Sequence, residues 1–333
     1  MIVDMHVHLS PLGIERLEGL MRRYGFDHVV NLSGGTPSQG LAIQMQAARE
    51  ARGKVTVFTT LAYEEADHPG YGKRMAEALR IAQRMGARGL KIAKVLGVAL
   101  TEPNGKLITV DAPELDPVFE TAAELGMPIA IHTGDPRAFW QPVNEKNERY
   151  AELRAHPAWA LHGKDVPSFE ELLLQLERRV ARHPKASFIA VHFGNCAEDP
   201  EWVARALRKY PNLYIDTAAR IPEMGRHSPE RMRAFFVEFQ DRILFGSDLG
   251  VGPEGTSLFL GSEGSEPPTA DEERLFFSAT RRYFETGDRD FAHPTPIQGA
   301  WKISGIRLPP DVLAKVYGKN AQRLLKLDVA VQR

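Results

Sequence analysis

The chain of 333 residues has one cysteine, Cys196, so it can form no internal disulfide, and a lone thiol fits a reducing compartment. It has no apolar run of the roughly 20 residues that cross a bilayer. It has no excess of either charge. The formal net charge is −1 and the pI is near 6.9, with no basic run and no interleaving of aromatic and basic residues. Nothing therefore argues for nucleic acid or an anionic membrane as a partner. The N-terminus lacks the charged and apolar regions of a signal peptide and enters a strand pattern at once, which predicts a cytoplasmic protein. No low-complexity tract is present. A hydrophobic content of 43% is ample for one large core, and residues 1–333 read as a single domain.

Four short segments each end a strand-like apolar run with a residue that binds metals. They are Ile2-Val3-Asp4-Met5-His6-Val7-His8, Pro128-Ile129-Ala130-Ile131-His132, Phe188-Ile189-Ala190-Val191-His192 and Ile243-Leu244-Phe245-Gly246-Ser247-Asp248. Side chains two apart on a strand share a face, so His6 and His8 can hold one ion from a single strand. His132, His192 and Asp248 would complete the set, and imidazole with carboxylate suits zinc and similar divalent ions. The bland alternative is that a lone strand histidine packs in the core or meets solvent, and a lone His-x-His is a weak signal. Four separate strand ends carrying the right residue are much harder to obtain by chance. His28, His68, His156, His183, His227 and His293 lie in polar or Pro-flanked stretches and read as surface or loop residues. His162 lies in a long insertion that could cover the site. Cys196, four residues after His192, reads as a buried or loop thiol.

Eight predicted strands alternate with helical stretches: Ile2–His8, Asp27–Leu32, Val55–Leu61, Gly89–Ala93, Pro128–His132, Ser187–His192, Leu213–Thr217 and Ile243–Asp248. That alternation is the mark of a parallel sheet. Amphipathic spacing predicts helices over Arg74–Met85, Glu170–His183, Pro200–Lys209 and Pro229–Gln240, with stops at Gly86, Gly126 and Tyr210-Pro211-Asn212. The fold class is α/β, a (β/α)8 TIM barrel with long loops after strands 5 and 8. The first loop, Thr133 to about Phe169, carries Pro136, Phe139, Trp140, Pro142, Tyr150, Trp159 and His162. The second, Leu249–Trp301, is rich in Gly, Pro and acidic residues. Both leave the C-terminal face, where barrel chemistry sits, and either could close over a metal or serve packing. Gly97–Pro113 adds a third loop, with a turn at Pro103-Asn104-Gly105.

The order His-x-His, His, His, Asp resembles the amidohydrolase superfamily, in particular its amidohydrolase-related family of metal-dependent hydrolases and decarboxylases. Asp4-Met5-His6-Val7-His8, Gly89-Leu90-Lys91, Phe245-Gly246-Ser247-Asp248 and the tail Lys315-Val316-Tyr317-Gly318-Lys319-Asn320-Ala321-Gln322-Arg323-Leu324-Leu325 carry the resemblance over nearly the whole chain. It implies one divalent ion, zinc first, with manganese, iron or nickel as alternatives, held by His6, His8, His132 and Asp248. Asp248 would also be the general base for a water activated on the metal. His192 would orient that water or polarise a carbonyl, or bind a second ion. Lys91 ends the fourth strand, where two-metal relatives carry a carboxylated bridging lysine; one metal is favoured because the rest of the chain resembles the one-metal enzymes most closely. Lys91 would then meet a substrate anion or an acidic neighbour, or snorkel to the barrel rim. Lys94 has the same readings. Arg220 could hold a substrate carboxylate or pair with an acid such as Glu223. Trp140 is the aromatic residue expected to touch substrate. The expected function is cleavage of a C–N or C–O bond in a small, anionic substrate. Decarboxylation of an unsaturated or aromatic acid is the alternative, and a non-catalytic metal-binding barrel is disfavoured. A homodimer is expected.

Overall fold

Eight short apolar segments, buried on both faces, pair in parallel as such strands must. The computed structural model describes residues 1–262 and 267–327. The strands are β1 (Val3–Leu9), β2 (His28–Asn31), β3 (Val55–Thr60), β4 (Gly89–Ile92), β5 (Ile129–Ile131), β6 (Phe188–Ala190), β7 (Leu213–Asp216) and β8 (Ile243–Leu244). Each pairs with the next in sequence, through registers such as Phe58↔Gly89, Leu90↔Ile129 and Phe188↔Leu213. The eighth segment is broken. β8 pairs with β7, and after Phe245–Asp248 the chain resumes as β9 (Leu249–Val251), parallel to β1 with Val7 opposite Leu249. Met5 N–H donates to the Phe245 carbonyl and Asp248 N–H to the His6 carbonyl, both at 2.9 Å, so the barrel closes across this break. A hairpin strand, β10 (Leu258–Leu260), then lies antiparallel to β9.

All eight predicted strands are present. Two end two or more residues earlier than their apolar runs suggested. Ser187–His192 is extended only over Phe188–Ala190, and Ile243–Asp248 only over Ile243–Leu244. His192 and Asp248 both take positive φ, of 56° and 66°, so neither can continue a strand. β1 carries an irregularity of register between Asp4 and Val7. Strict alternation would put Val3, Met5, Val7 and Leu9 on one face. Instead Val3 and Met5 join a cluster with Val30, Phe58, Ala130 and Leu244, whereas Val7 and Leu9 pack with the residues of the helical layer. The same inner cluster takes Ala321 and Leu325 from the helix Asn320–Leu325, so the C-terminal helix of the described chain closes the barrel floor.

The predicted helices stand at Tyr71–Met85, Phe169–Arg182, Pro200–Lys209 and Pro229–Glu238. The stops at Gly86 and Gly126 are left-handed caps, with φ of 111° and 64°. The connection after the eighth strand is more ordered than its composition suggested. It contains the helix Ala270–Glu285, started by a Thr269/Glu272 capping box, with Phe276, Phe277, Tyr283 and Phe284 buried. Residues 263–266 of that connection lie outside the described residues. Three histidines assigned to surface or loops are in fact buried: His28 on β2, bonded to Thr56 Oγ1 at 2.8 Å, His183 after its helix, and His293 against the Gly299 carbonyl. Their polar sequence neighbours hid the partners that satisfy them. Among the described residues no helix is long and apolar enough to cross a membrane.

One close approach fixes how the helices pack around the barrel. A Cβ at Gly72 would stand 1.8 Å from the Glu114 carbonyl oxygen. Alanine in a helix gains about 1 kcal/mol over glycine, but overpacking against backbone costs about 1–3 kcal/mol. Gly72→Ala is therefore expected to lower the unfolding free energy in urea; a midpoint at or above that of the parent would contradict the packing described.

Candidate metal centre

The irregular first strand delivers two imidazoles to the C-terminal mouth of the barrel. His6 is fully buried and His8 half-buried. His6 Nε2 lies 3.2 Å and His8 Nε2 3.4 Å from Asp248 Oδ1. The ligand atoms of His6, His8 and Asp248 all fall within 4.8 Å of one another. The His192 ring lies 4.8 Å (centroid to centroid) from His6, tilted by 39°, and His132 meets His192 at 4.4 Å. The structure thus clusters the ligand atoms of His6, His8 and Asp248, sets His192 beside His6, and brings His132 to the group only through its ring contact with His192.

Second contacts decide which ring nitrogen faces that cluster. Asp216 Oδ2 lies 2.8 Å from His6 Nδ1, which places the proton on Nδ1 and leaves Nε2 as an acceptor. His192 Nδ1 donates to the Ala218 carbonyl at 3.0 Å, with the same result. His8 Nδ1 is 2.6 Å from Ser33 Oγ. His6 Nε2 and His132 Nε2 are buried and have no hydrogen-bond partner. A buried, unpaired imidazole nitrogen is costly unless something binds it. Two such atoms, with a carboxylate beside one of them, fit a divalent cation.

Electrostatics agree. Burial first, and then the Lys91 charge, lower the His6 imidazole below its ordinary value, against Asp216 and Asp248. Burial also holds His132 and His192 well below the usual histidine range. Burial pushes the Asp248 carboxyl upward, but the His6, His8 and His192 rings outweigh it and hold Asp248 well below the usual carboxylate range. Neutral imidazoles and an ionised carboxylate are the states a metal needs. Lys91 is buried with its Nζ unpartnered, and burial brings it down to about 8 despite Asp216 and Asp248.

Strain marks the same place. His192, Phe193, Gly194 and Asn195 run consecutively at φ of 56°, 55°, 71° and 57°, one turn of left-handed helix. For residues other than glycine that conformation costs roughly 1–2 kcal/mol each. Ala219 and Asp248 are left-handed as well. Such outliers survive only where the surroundings hold them.

A cleft of about 450 Å³, including its open mouth, leads to the centre, a size for a small molecule. Its inner wall has His132, His192, Asp248 and Arg220. The Arg220 guanidinium donates to the Ala219 carbonyl at 2.9 Å and, among the described residues, forms no ion pair. The acid expected to take it, Glu223, is paired instead with Arg149, which also binds Glu152 at 2.6 Å. Lys94 is paired with Asp135 at 2.7 Å and lies 5.7 Å from the Trp159 ring centre. Phe139 and Trp159, stacked at 6.4 Å, form an aromatic wall. Trp140 stands outside it: its indole N–H donates to the Pro167 carbonyl at 2.9 Å and its ring packs on Phe169. His162 is exposed and meets the Trp140 carbonyl. Cys196 is a buried thiol, pushed up to about 12 by burial.

Sequence reasoning missed Asp216, Asn195, Trp159 and the Arg149 network. Only Asp216 carried a signal, as an acid at the end of the seventh strand. Asp4, on β1, accepts from Ser247 N–H at 3.0 Å and His6 N–H at 3.1 Å, and burial raises it to about 7.

Asp216→Asn would offer His6 a carbonyl or an amide in place of a carboxylate. It is expected to weaken binding of a divalent ion about 10–100-fold, read by competition with a chromogenic chelator. Affinity within twofold of the parent would show that Asp216 does not act through His6.

The chain was compared with known proteins. A family model described as amidohydrolase matches residues 3–327. No curated protein matches. Among solved structures it resembles a 2,6-dihydroxybenzoate decarboxylase from Rhizobium, at 17% identity and a TM-score of 0.54, covering 98% of this chain and 99% of that one. It resembles a dihydroxybenzoic acid decarboxylase from Polaromonas, solved with bound manganese and the inhibitor 2-nitroresorcinol, at 15% identity and 0.55 over 98% and 97%. It also resembles a probable 2-pyrone-4,6-dicarboxylic acid hydrolase from Acinetobacter baumannii with citric acid bound, at 11% and 0.53 over 98% and 99%. At these identities the structures support the barrel fold alone. The family match spans nearly the whole chain, and the chain belongs to the amidohydrolase family.

Proposed function

We propose that this chain is a metal-dependent hydrolase. It holds one divalent cation at His6, His8, His132 and Asp248 and cleaves a C–N or C–O bond of a small carboxylate. The observation that carries the reading is the cluster of His6, His8 and Asp248 ligand atoms within 4.8 Å, beside a cleft that Asp248 lines together with Arg220, which forms no ion pair among the described residues. A divalent ion bound there supplies Lewis acidity. Zinc is the first candidate and manganese the second. Asp248 accepts the proton of the attacking water. His192, its Nδ1 fixed on the Ala218 carbonyl, presents Nε2 toward the scissile group. Arg220 holds the substrate carboxylate; its burial without an acidic partner makes that interaction strong. Lys91 stays unmodified and adds positive potential.

Decarboxylation of a conjugated or aromatic acid is the second reading, favoured by the flat wall of Phe139 and Trp159. Protein loaded with one equivalent of zinc or manganese is expected to turn over a member of a panel of small esters, lactones and amides that carry a carboxylate, and to lose activity on chelation. Release of CO2 without a hydrolysis product selects the second reading, and no metal uptake rejects both.

Asp248→Asn removes the proton acceptor. On the true substrate it is expected to cost about 10²–10⁴-fold in kcat, compared at matched metal content. Full metal with over half the activity would pass the base role to His192.

A further inference from the structure

We infer that Asn195 is a positioning residue, which ties the left-handed turn carrying His192 to the strand end carrying His132 and so sets the spacing of the two imidazoles. The inference rests on the metal-centre reading given above, because it concerns how that centre is held.

The turn begins and ends on specific bonds. At its start, His192 N–H donates to Asp216 Oδ1 at 2.7 Å. At its end, Asn195 N–H donates to the Val191 carbonyl at 3.0 Å, closing the turn on itself. These bonds fix the turn with respect to β6 and β7. Neither reaches β5, where His132 sits. The Asn195 side chain supplies that link: its Oδ1 accepts from Thr133 N–H at 3.2 Å, across 62 residues of sequence. Thr133 directly follows His132, whose own N–H is held by the Ile92 carbonyl at 3.0 Å. The peptide that carries His132 is therefore bonded on one side to β4 and on the other to Asn195.

The residue type suits both demands. Asparagine tolerates the left-handed conformation better than other side chains except glycine, and it has an acceptor long enough to cross to the next strand. Both Asn195 and Thr133 are buried, at 5% and 2% exposure, so water does not replace the bond. The ring contact it governs is short: His132 and His192 stand 4.4 Å apart. If this bond is lost, Thr133 N–H is left buried without an acceptor, and the His132 peptide can rotate to find one. The unpaired His132 Nε2 then loses its fixed position beside the His192 ring.

The test uses the full chain loaded with cobalt(II), whose visible absorption reports ligand geometry. Asn195→Gly keeps the left-handed backbone and removes the acceptor. It is expected to fold, to bind cobalt about 10–100-fold more weakly, and to shift the visible bands. Asn195→Asp keeps an acceptor oxygen and is expected to restore both affinity and bands. Should Asn195→Gly not fold, Asn195→Ser, whose oxygen is one bond shorter, takes its place with the same expectation. Parental affinity and bands in the variant lacking the acceptor overturn the inference, and so does an aspartate variant as impaired as the glycine one. If the parent protein itself takes up no cobalt, it is the metal-centre reading that fails.

Discussion

Asp216 accepts hydrogen bonds from three places at once. Its Oδ2 takes the Nδ1 proton of His6 on β1, and its Oδ1 takes the N–H groups of His192 after β6 and of Ala218 after β7. A carboxylate buried this deeply is costly unless such donors satisfy it. Once satisfied, it orients the ring of one histidine and the backbone of another. The left-handed turn at His192 starts from this bond, and so does the exposure of His6 Nε2 to the ligand point. The centre is built on backbone geometry that a single buried acid enforces.

The remaining charges are arranged so that most are spent on structure and few face the cleft unpaired. Arg149 is held by Glu152 and Glu223, and Ser262 donates to Glu152 as well, which joins the loop after β5 to the segments after β7 and after β10. Lys94 is held by Asp135. These pairs fix the walls. Among the described residues Arg220 and Lys91 are left without acidic partners, and both are buried. Desolvated cations attract anions far more strongly than surface lysines do. The proposal of an anionic substrate rests on that contrast rather than on the count of basic residues.

The site was legible in part. His6, His8, His132, His192 and Asp248 stood out as candidates because each ends an apolar run, and strand ends of a parallel barrel share one face. Trp140 and Trp159 show the limit. Both lie in one insertion with similar surroundings in sequence, yet only Trp159 lines the cleft, because the Trp140 indole is taken by the Pro167 carbonyl. Arg220 and Glu223 are near in sequence and were natural partners, but Arg149, 74 residues away from Glu223, takes that acid. His28 was hidden for the same reason: its partner, Thr56, is 28 residues away.

What the sequence determined by itself is periodic and local. Apolar runs of strand length, amphipathic stretches between them and glycines at helix ends set the eight-fold alternation, because burial and backbone propensity act over a few residues. The ligand types at the strand ends are likewise local. Only the tertiary structure decided the rest: the irregularity in β1, the left-handed turn from His192 to Asn195, the breaking of the eighth strand at Asp248, and the choice of Asp216 as the acid behind His6. Each of these costs free energy locally and is offset by hydrogen bonds between segments tens to hundreds of residues apart. No local pattern can announce a conformation that is stable only because a distant partner holds it.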